Sequence, residues 1–211
     1  MTTGIREQKA AKLKVLILRT TLDLIGKKPF KDLYVDEICS KVKISKVTFF
    51  KYFPQKEDIL LYYYRVQCLD CIIELGESRK TGLEAVRYIF DKLVQAYHKY
   101  PGMLMSFISY ATSLDRPPAP FPVKPMERQL IFNGKDDVTH YDLLSLPQLL
   151  EKHLLEAVFE GKINSADTKE LTHTFMSMFY GTVLTTHLRQ VESMQLLMNR
   201  NLSLLVKSLS S

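Results

Sequence analysis

The sequence predicts an all-α protein in which a short cationic helical module precedes a larger, neutral helical one, with about nine helices in all. Three observations predict it. Apolar residues recur at three- and four-residue spacing along most of the chain. Strand signals are nearly absent, since no alternating apolar run adjoins an Asn-Gly or Asp-Gly turn. The charge is one-sided: residues 1–60 hold 13 Lys and Arg against 7 Asp and Glu, whereas residues 61–211 hold 16 of each. At 211 residues and 46% hydrophobic composition, the chain is long enough to bury a core. The basic end calls for a polyanion as partner.

The elements follow in order. Leu13, Leu16, Ile17, Thr20 and Leu24 fall on one face of a first helix, about 5–27, and Pro29 stops it because the residue before a proline avoids helical angles. A second helix spans about 35–42 with Val35, Ile38, Cys39 and Val42 inward. Lys43-Ile44 makes a tight turn, and Ser45 is a good N-cap for a third helix, about 46–52. Pro54-Gln55 breaks that helix. A fourth, about 56–77, reaches about 33 Å at 1.5 Å per residue. Thr81-Gly82 separates it from a fifth ending near Tyr100, and Pro101 opens a sixth, about 102–114. Pro117, Pro118, Pro120, Pro122 and Pro125 mark an extended loop. The stretch 126–142 carries no clear period. Helicity resumes over about 143–160, with Pro147 in the first turn and Gly161 as a left-handed cap. Two apolar helices, about 166–189 and 192–209, finish the chain.

The second and third helices, joined by a short turn on a basic scaffold, read as a helix-turn-helix. Phe49, Tyr52 and Phe53 share an inward face of the third helix, while Lys46, Val47, Phe50 and Lys51 fall mostly opposite, with Thr48 at the edge. An isolated lysine-rich helix is ordinarily a solvated surface. Here the one-sided charge, the two-helix spacing and the breaker residues coincide.

The stretch Lys14–Leu60, with its core PFKDLYVDEICSKVKISKVTFFKYFPQKEDIL, resembles the TetR family of bacterial transcriptional regulators. Val35, Ile38, Ile44, Ser45, Lys46, Thr48, Phe53, Lys56, Glu57 and Leu60 match the family pattern. The resemblance implies a DNA-binding domain over 1–55 and an effector-binding and dimerisation domain over 56–211. It also implies that Ser45, Lys46, Val47, Thr48, Phe50, Lys51 and Lys56 meet double-stranded DNA at a palindromic operator. Lysine can donate to guanine O6 and N7, which makes Lys46 the base reader, and Val47 suits a thymine methyl. Thr48, Lys51 and Lys56 are expected on phosphates. Four positions depart from the pattern. Lys43 stands where glycine is usual, Leu33-Tyr34 where a capping hydroxyl is usual, Phe50 where tyrosine is usual and Val47 where a small residue is usual. Tyr34 is a poor cap, and its hydroxyl is assigned to the phosphate contacts.

In the neutral part, most aromatic and methionine side chains read as core. The resemblance implies an effector pocket there, with Phe107, Tyr110, Phe175 and Phe179 as lining candidates, and the sparse charge favours an apolar or aromatic ligand. It also implies a homodimer through the last two helices, with Gly181 permitting close approach. Cys68-x-x-Cys71 lies within a helix without a second pair and reads as packing, and His153, His173 and His187 are scattered. No Gly-x-Ser-x-Gly, Gly-x-x-x-x-Gly-Lys or His-Glu-x-x-His occurs, so no enzyme activity, metal or cofactor is expected. No run of 18 apolar residues and no signal-peptide core are present, and three cysteines without a framework suit a cytoplasmic protein. The reading is a repressor released from DNA by a small molecule. Two rivals are a DNA-bound regulator of the same fold acting through a protein partner, and a helical enzyme or lipid carrier with an incidental basic end.

Overall fold

The computed structural model describes residues 2–135, 138–165, 167–189 and 193–210. These residues form ten α-helices, one 3-10 turn (Phe30–Asp32) and no strand. The helices are α1 Thr2–Ile25, α2 Val35–Val42, α3 Lys46–Tyr52, α4 Asp58–Ser78, α5 Gly82–Lys99, α6 Pro101–Thr112, α7 Pro125–Ile131, α8 Leu146–Phe159, α9 Thr168–Arg189 and α10 Met194–Leu209. The all-α expectation holds. The additional helix is α7, in the stretch whose period could not be read. Expected helix starts at 166 and 192 lie outside the described residues.

Contacts divide the chain into two units, Met1–Gln67 with Ala96–Leu143, and Cys68–Gln95 with Leu144–Ser211. In the first unit, Ile17, Leu18, Ile25, Phe30, Ile38, Phe49, Phe53, Ile59 and Tyr62 build one apolar core. α1 ends at Gly26, whose φ of +49° is left-handed, three residues before Pro29. Its inward face also differs from the expected one. Leu16 is exposed, and Ala11, Lys14, Val15, Ile17, Leu18, Thr21 and Ile25 are buried.

Lys14 explains the shift. Its ammonium donates to Glu127 Oε1 at 3.1 Å, to Glu127 Oε2 at 3.0 Å and to the Pro122 carbonyl at 3.0 Å. It also lies 4.2 Å from the Tyr62 ring centroid and 4.7 Å from that of Phe121. Glu127 further accepts from the Tyr62 hydroxyl at 3.0 Å and from the Lys124 backbone N–H at 3.1 Å, which closes the start of α7. Burial lowers the Lys14 pKa, and the Glu127 charge opposes that shift. The lysine therefore belongs to the interior because a carboxylate more than a hundred residues away completes it.

A second tight contact fixes the turn after α1. Gly102 packs so closely that a Cβ there would lie 1.9 Å from the Lys28 carbonyl oxygen. The Phe30 N–H donates to Ser106 Oγ at 3.1 Å.

In the second unit, α8 and α10 both pack on α9. Phe90 of α5 stacks on Phe175 and Phe179 of α9, with centroids 6.4 and 5.9 Å apart. Lys92 bridges Asp70 and Glu74, each at 2.8 Å, and the Tyr88 hydroxyl donates to Glu74. α8 starts as expected around Pro147, with Ser145 as N-cap, and Gly161 follows its end with φ +68°.

Removing one partner of a buried ion pair strands the other charge. Glu127→Gln is expected to lower the unfolding free energy by about 3–5 kcal/mol. Urea denaturation followed by circular dichroism measures this, and a loss below about 1 kcal/mol would place Lys14 among ordinary surface lysines.

Candidate nucleic-acid interface

α2 and α3 are built by local chemistry that the sequence only partly declares. Tyr34 makes no side-chain cap, but its backbone N–H donates to the Glu37 carboxylate at 3.2 Å, so the first turn of α2 is tied back by Glu37. Asp36 and Glu37 also place negative charge at the positive end of that helix. α2 ends at Lys43, with φ 61° and ψ 50°, the left-handed conformation that the usual glycine would adopt without strain. Ser45 caps α3 as expected, accepting the Thr48 N–H at 3.1 Å.

Phe49 and Phe53 are fully buried and Tyr52 is half-buried, so the inward face of α3 is the expected one. The opposite face is bare. Val47 is 82% exposed, Phe50 is 42% exposed and Tyr34 is 67% exposed, beside the exposed Ser45, Lys46 and Lys51. Three large apolar or aromatic side chains open to water among cations make a surface that solvation alone does not favour. Lys46 forms an exposed ion pair with Asp36 at 2.8 Å, and the hydrogen bond to Asp36 raises its pKa. Such an exposed pair is worth little in water. The Thr48 hydroxyl lies 3.0 Å from Ser45 Oγ.

Lys56 occupies a different position from the other expected contacts. Its ammonium donates to the carbonyls of Phe30, Lys31 and Leu33 at 3.1, 3.3 and 3.0 Å, and lies 4.9 Å from the Phe30 ring centroid. All three ammonium hydrogens hold the turn between α1 and α2, so in the unbound chain Lys56 positions the helix-turn-helix.

Sequence reasoning missed two cations. A groove of about 510 Å³ is lined by Ile5, Arg6, Lys9, Ala10, Leu13, Lys51 and Tyr52. Arg6 and Lys9 of α1 thus stand beside Lys51 of α3, and the three together extend the cationic face beyond the motif. The signal was present in the charge count of residues 1–60, which was not resolved into faces.

The four residues assigned to a ligand do not share a unit. Phe107 and Tyr110 belong to the first, where Phe107 lies 4.3 Å from the Tyr64 ring and Tyr110 donates to Gln55 Oε1 at 3.5 Å. Phe175 and Phe179 belong to the second and are buried against Phe90. Among the histidines, His153 is buried with Nδ1 2.7 Å from Glu156 Oε2, while His173 and His187 are exposed. Among the described residues no cluster of three metal-binding side chains occurs, and no helix is long and apolar enough to cross a membrane.

Known proteins were compared with this arrangement. Residues 17–63 match the model of the bacterial regulatory proteins of the tetR family, which spans the end of α1, the helix-turn-helix and the start of α4. Over 53 residues the chain is 45% identical to YuxN of Bacillus subtilis (strain 168), an uncharacterized HTH-type transcriptional regulator; the match covers 23% of this chain and 18% of that protein. The chain therefore spans only a small part of that relative's length. Over most of its length it shares the fold of two solved structures. One is a protein described for control of antibiotic production by bacterial hormones, with TM-score 0.66, 18% identity and coverage of 94% of this chain and 97% of that one. The other is Thermus thermophilus FadR, a TetR family transcriptional repressor in complex with lauroyl-CoA, with TM-score 0.63, 18% identity and coverage of 92% and 93%. Residues 17–63, which carry the helix-turn-helix, thus match the tetR family of bacterial regulatory proteins in sequence, and the all-α fold is matched over nearly the whole chain.

Proposed function

We propose that this regulator binds a palindromic operator as a homodimer, represses transcription from it, and is released by a small molecule with an apolar or aromatic body. The observation that carries the DNA-binding part is the uncovered face of α3. Lys46, Val47, Phe50 and Lys51 project from a helix whose other side is locked in the core by Phe49 and Phe53. Lys46 reads a base edge, Val47 meets a thymine methyl, and Ser45, Thr48 and Lys51 meet phosphates together with Tyr34. Lys56 contributes by holding the turn between α1 and α2 in place.

The dimer rests on a second observation. On the last two helices Leu171, Phe175, Thr182, Met194, Leu197 and Met198 are buried within the second unit itself. Yet α9 still exposes Leu184 and Leu188, and α10 still exposes Leu196 and Leu204. Gly181, exposed on α9, has open space where a Cβ would stand. A second copy of the chain covers these stripes by helix–helix packing. Two-fold symmetry then sets the recognition helices about 34–36 Å apart, one turn of duplex. Ligand binding that favours another spacing weakens operator binding by the same factor that the operator weakens ligand binding.

Two outcomes are expected. A palindrome found in the DNA flanking the gene shifts in a mobility assay, and Lys46→Ala narrows the discrimination between that site and scrambled duplex by about 1–3 kcal/mol. Unchanged discrimination removes Lys46 as base reader. Candidate apolar and aromatic ligands reverse the wild-type shift at saturation; firm binding that none of them reverses favours regulation through a protein partner.

A further inference from the structure

The first unit holds two half-buried arginines, Arg65 and Arg128, that make no ion pair with a described carboxylate. Arg65 of α4 donates from Nη2 to the Leu143 carbonyl at 2.6 Å. Arg128 of α7 donates from Nε to the Val123 carbonyl at 3.1 Å, and from Nη1 to the carbonyls of Thr139 and Tyr141 at 3.2 and 2.9 Å. Both side chains are half-buried. They grip the same short segment, for two residues of chain separate the Tyr141 and Leu143 carbonyls by at most about 7 Å. Arg65 Nε is buried and has no hydrogen-bond partner.

This arrangement is costly as it stands. Carbonyl dipoles orient the two guanidiniums without supplying a countercharge, and a buried N–H without an acceptor loses its hydration outright. Burial, and next the neighbouring Arg65 charge, lower the Arg128 pKa, which records like charges close together in a partly dehydrated place. Asp142 is the acid whose charge acts on Arg128 in the opposite sense. Among the described residues, one acid beside two cations leaves a net positive site. The planar fork of a guanidinium matches the two oxygens of a carboxylate or phosphate.

The geometry points to Arg65 and Arg128 as a binding site for an oxyanion group, carboxylate or phosphate, on a small molecule. The site adds one anionic headgroup to the apolar or aromatic effector proposed above. It depends on that reading only for its consequence at the operator; anion binding itself does not.

The test uses the full chain, with thermal unfolding followed by circular dichroism in sodium chloride, sodium octanoate or sodium phosphate at equal ionic strength. Wild type is expected to gain at least about 2 °C over chloride in one of the two oxyanions, a shift readily distinguished for a chain of this length. A gain in octanoate identifies a carboxylate group, and a gain in phosphate a phosphate group. Arg65→Gln, which keeps a donor for the Leu143 carbonyl, is expected to lose that gain while showing the wild-type helical spectrum. No gain in either salt for wild type overturns the proposal. So does an equal gain in Arg65→Gln, which would mark a general salt effect or binding at the DNA-facing lysines. If Arg65→Gln is poorly folded, Arg65→Lys takes its place, retaining the charge without the fork, and a gain reduced by at least half is the expected result. Operator binding is measured in parallel. An anion gain without weaker operator binding leaves this site standing and strikes the effector reading instead.

Discussion

A lysine ammonium leaves water only where its charge is answered, and Lys14 is answered from three directions. Glu127 supplies the countercharge, the Pro122 carbonyl a further acceptor, and the rings of Tyr62 and Phe121 a polarizable wall. The same carboxylate takes the Tyr62 hydroxyl and closes the first turn of α7. One buried charge pair thus fixes α1 against α4 and against a segment that has no regular apolar pattern of its own. A buried pair of this kind adds little net stability over an apolar replacement, but a chain in which either half is misplaced strands a charge. Its value is in specifying one arrangement. Because α1 packs on α2 and α2 on α3, that arrangement sets where the recognition face stands.

The legible and illegible parts of the sequence divide along this line. α2, α3 and the turn between them were readable because local rules decide them: inward apolar positions at three- and four-residue spacing, a serine cap and proline breaks. The strained Lys43 turn was also foreseeable, since a lysine stood where left-handed backbone favours glycine. α7 was not readable, because its start depends on Glu127 meeting Lys14 and Tyr62, contacts that span 113 and 65 residues. The phase of α1 was misread for the same reason. A lysine inside an amphipathic pattern counts as surface until its distant partner is known. On α9 and α10, Leu171, Phe175, Met194 and Met198 belong to the second unit's own core, whereas Leu184, Leu188, Leu196 and Leu204 are exposed.

Within the candidate site, residue type announced the cations and the exposed face, whereas geometry sorted their roles. Lys46 stands free apart from a surface pair with Asp36, and Lys56 is committed to three carbonyls of the α1–α2 turn. Both are lysines of one motif, yet one is exposed beside Asp36 and the other holds a turn. Gly102 and Ser106 grip that same turn from α6, so its position is set on two sides by contacts within the first unit. Arg65 and Arg128 follow a similar logic farther along the chain, where backbone carbonyls orient charges whose partner the described residues do not supply.

The cations of residues 1–60 are proposed to displace counterions from duplex phosphates while α3 lies in the major groove. The most direct measurement is the equilibrium affinity for a duplex carrying the flanking palindrome, followed by fluorescence anisotropy from about 50 to 300 mM salt. A dimer that neutralises about 6–8 phosphates gives a slope of log K against log salt of about −5 to −7. An affinity that stays level across this range, or no binding at the lowest salt, would contradict it.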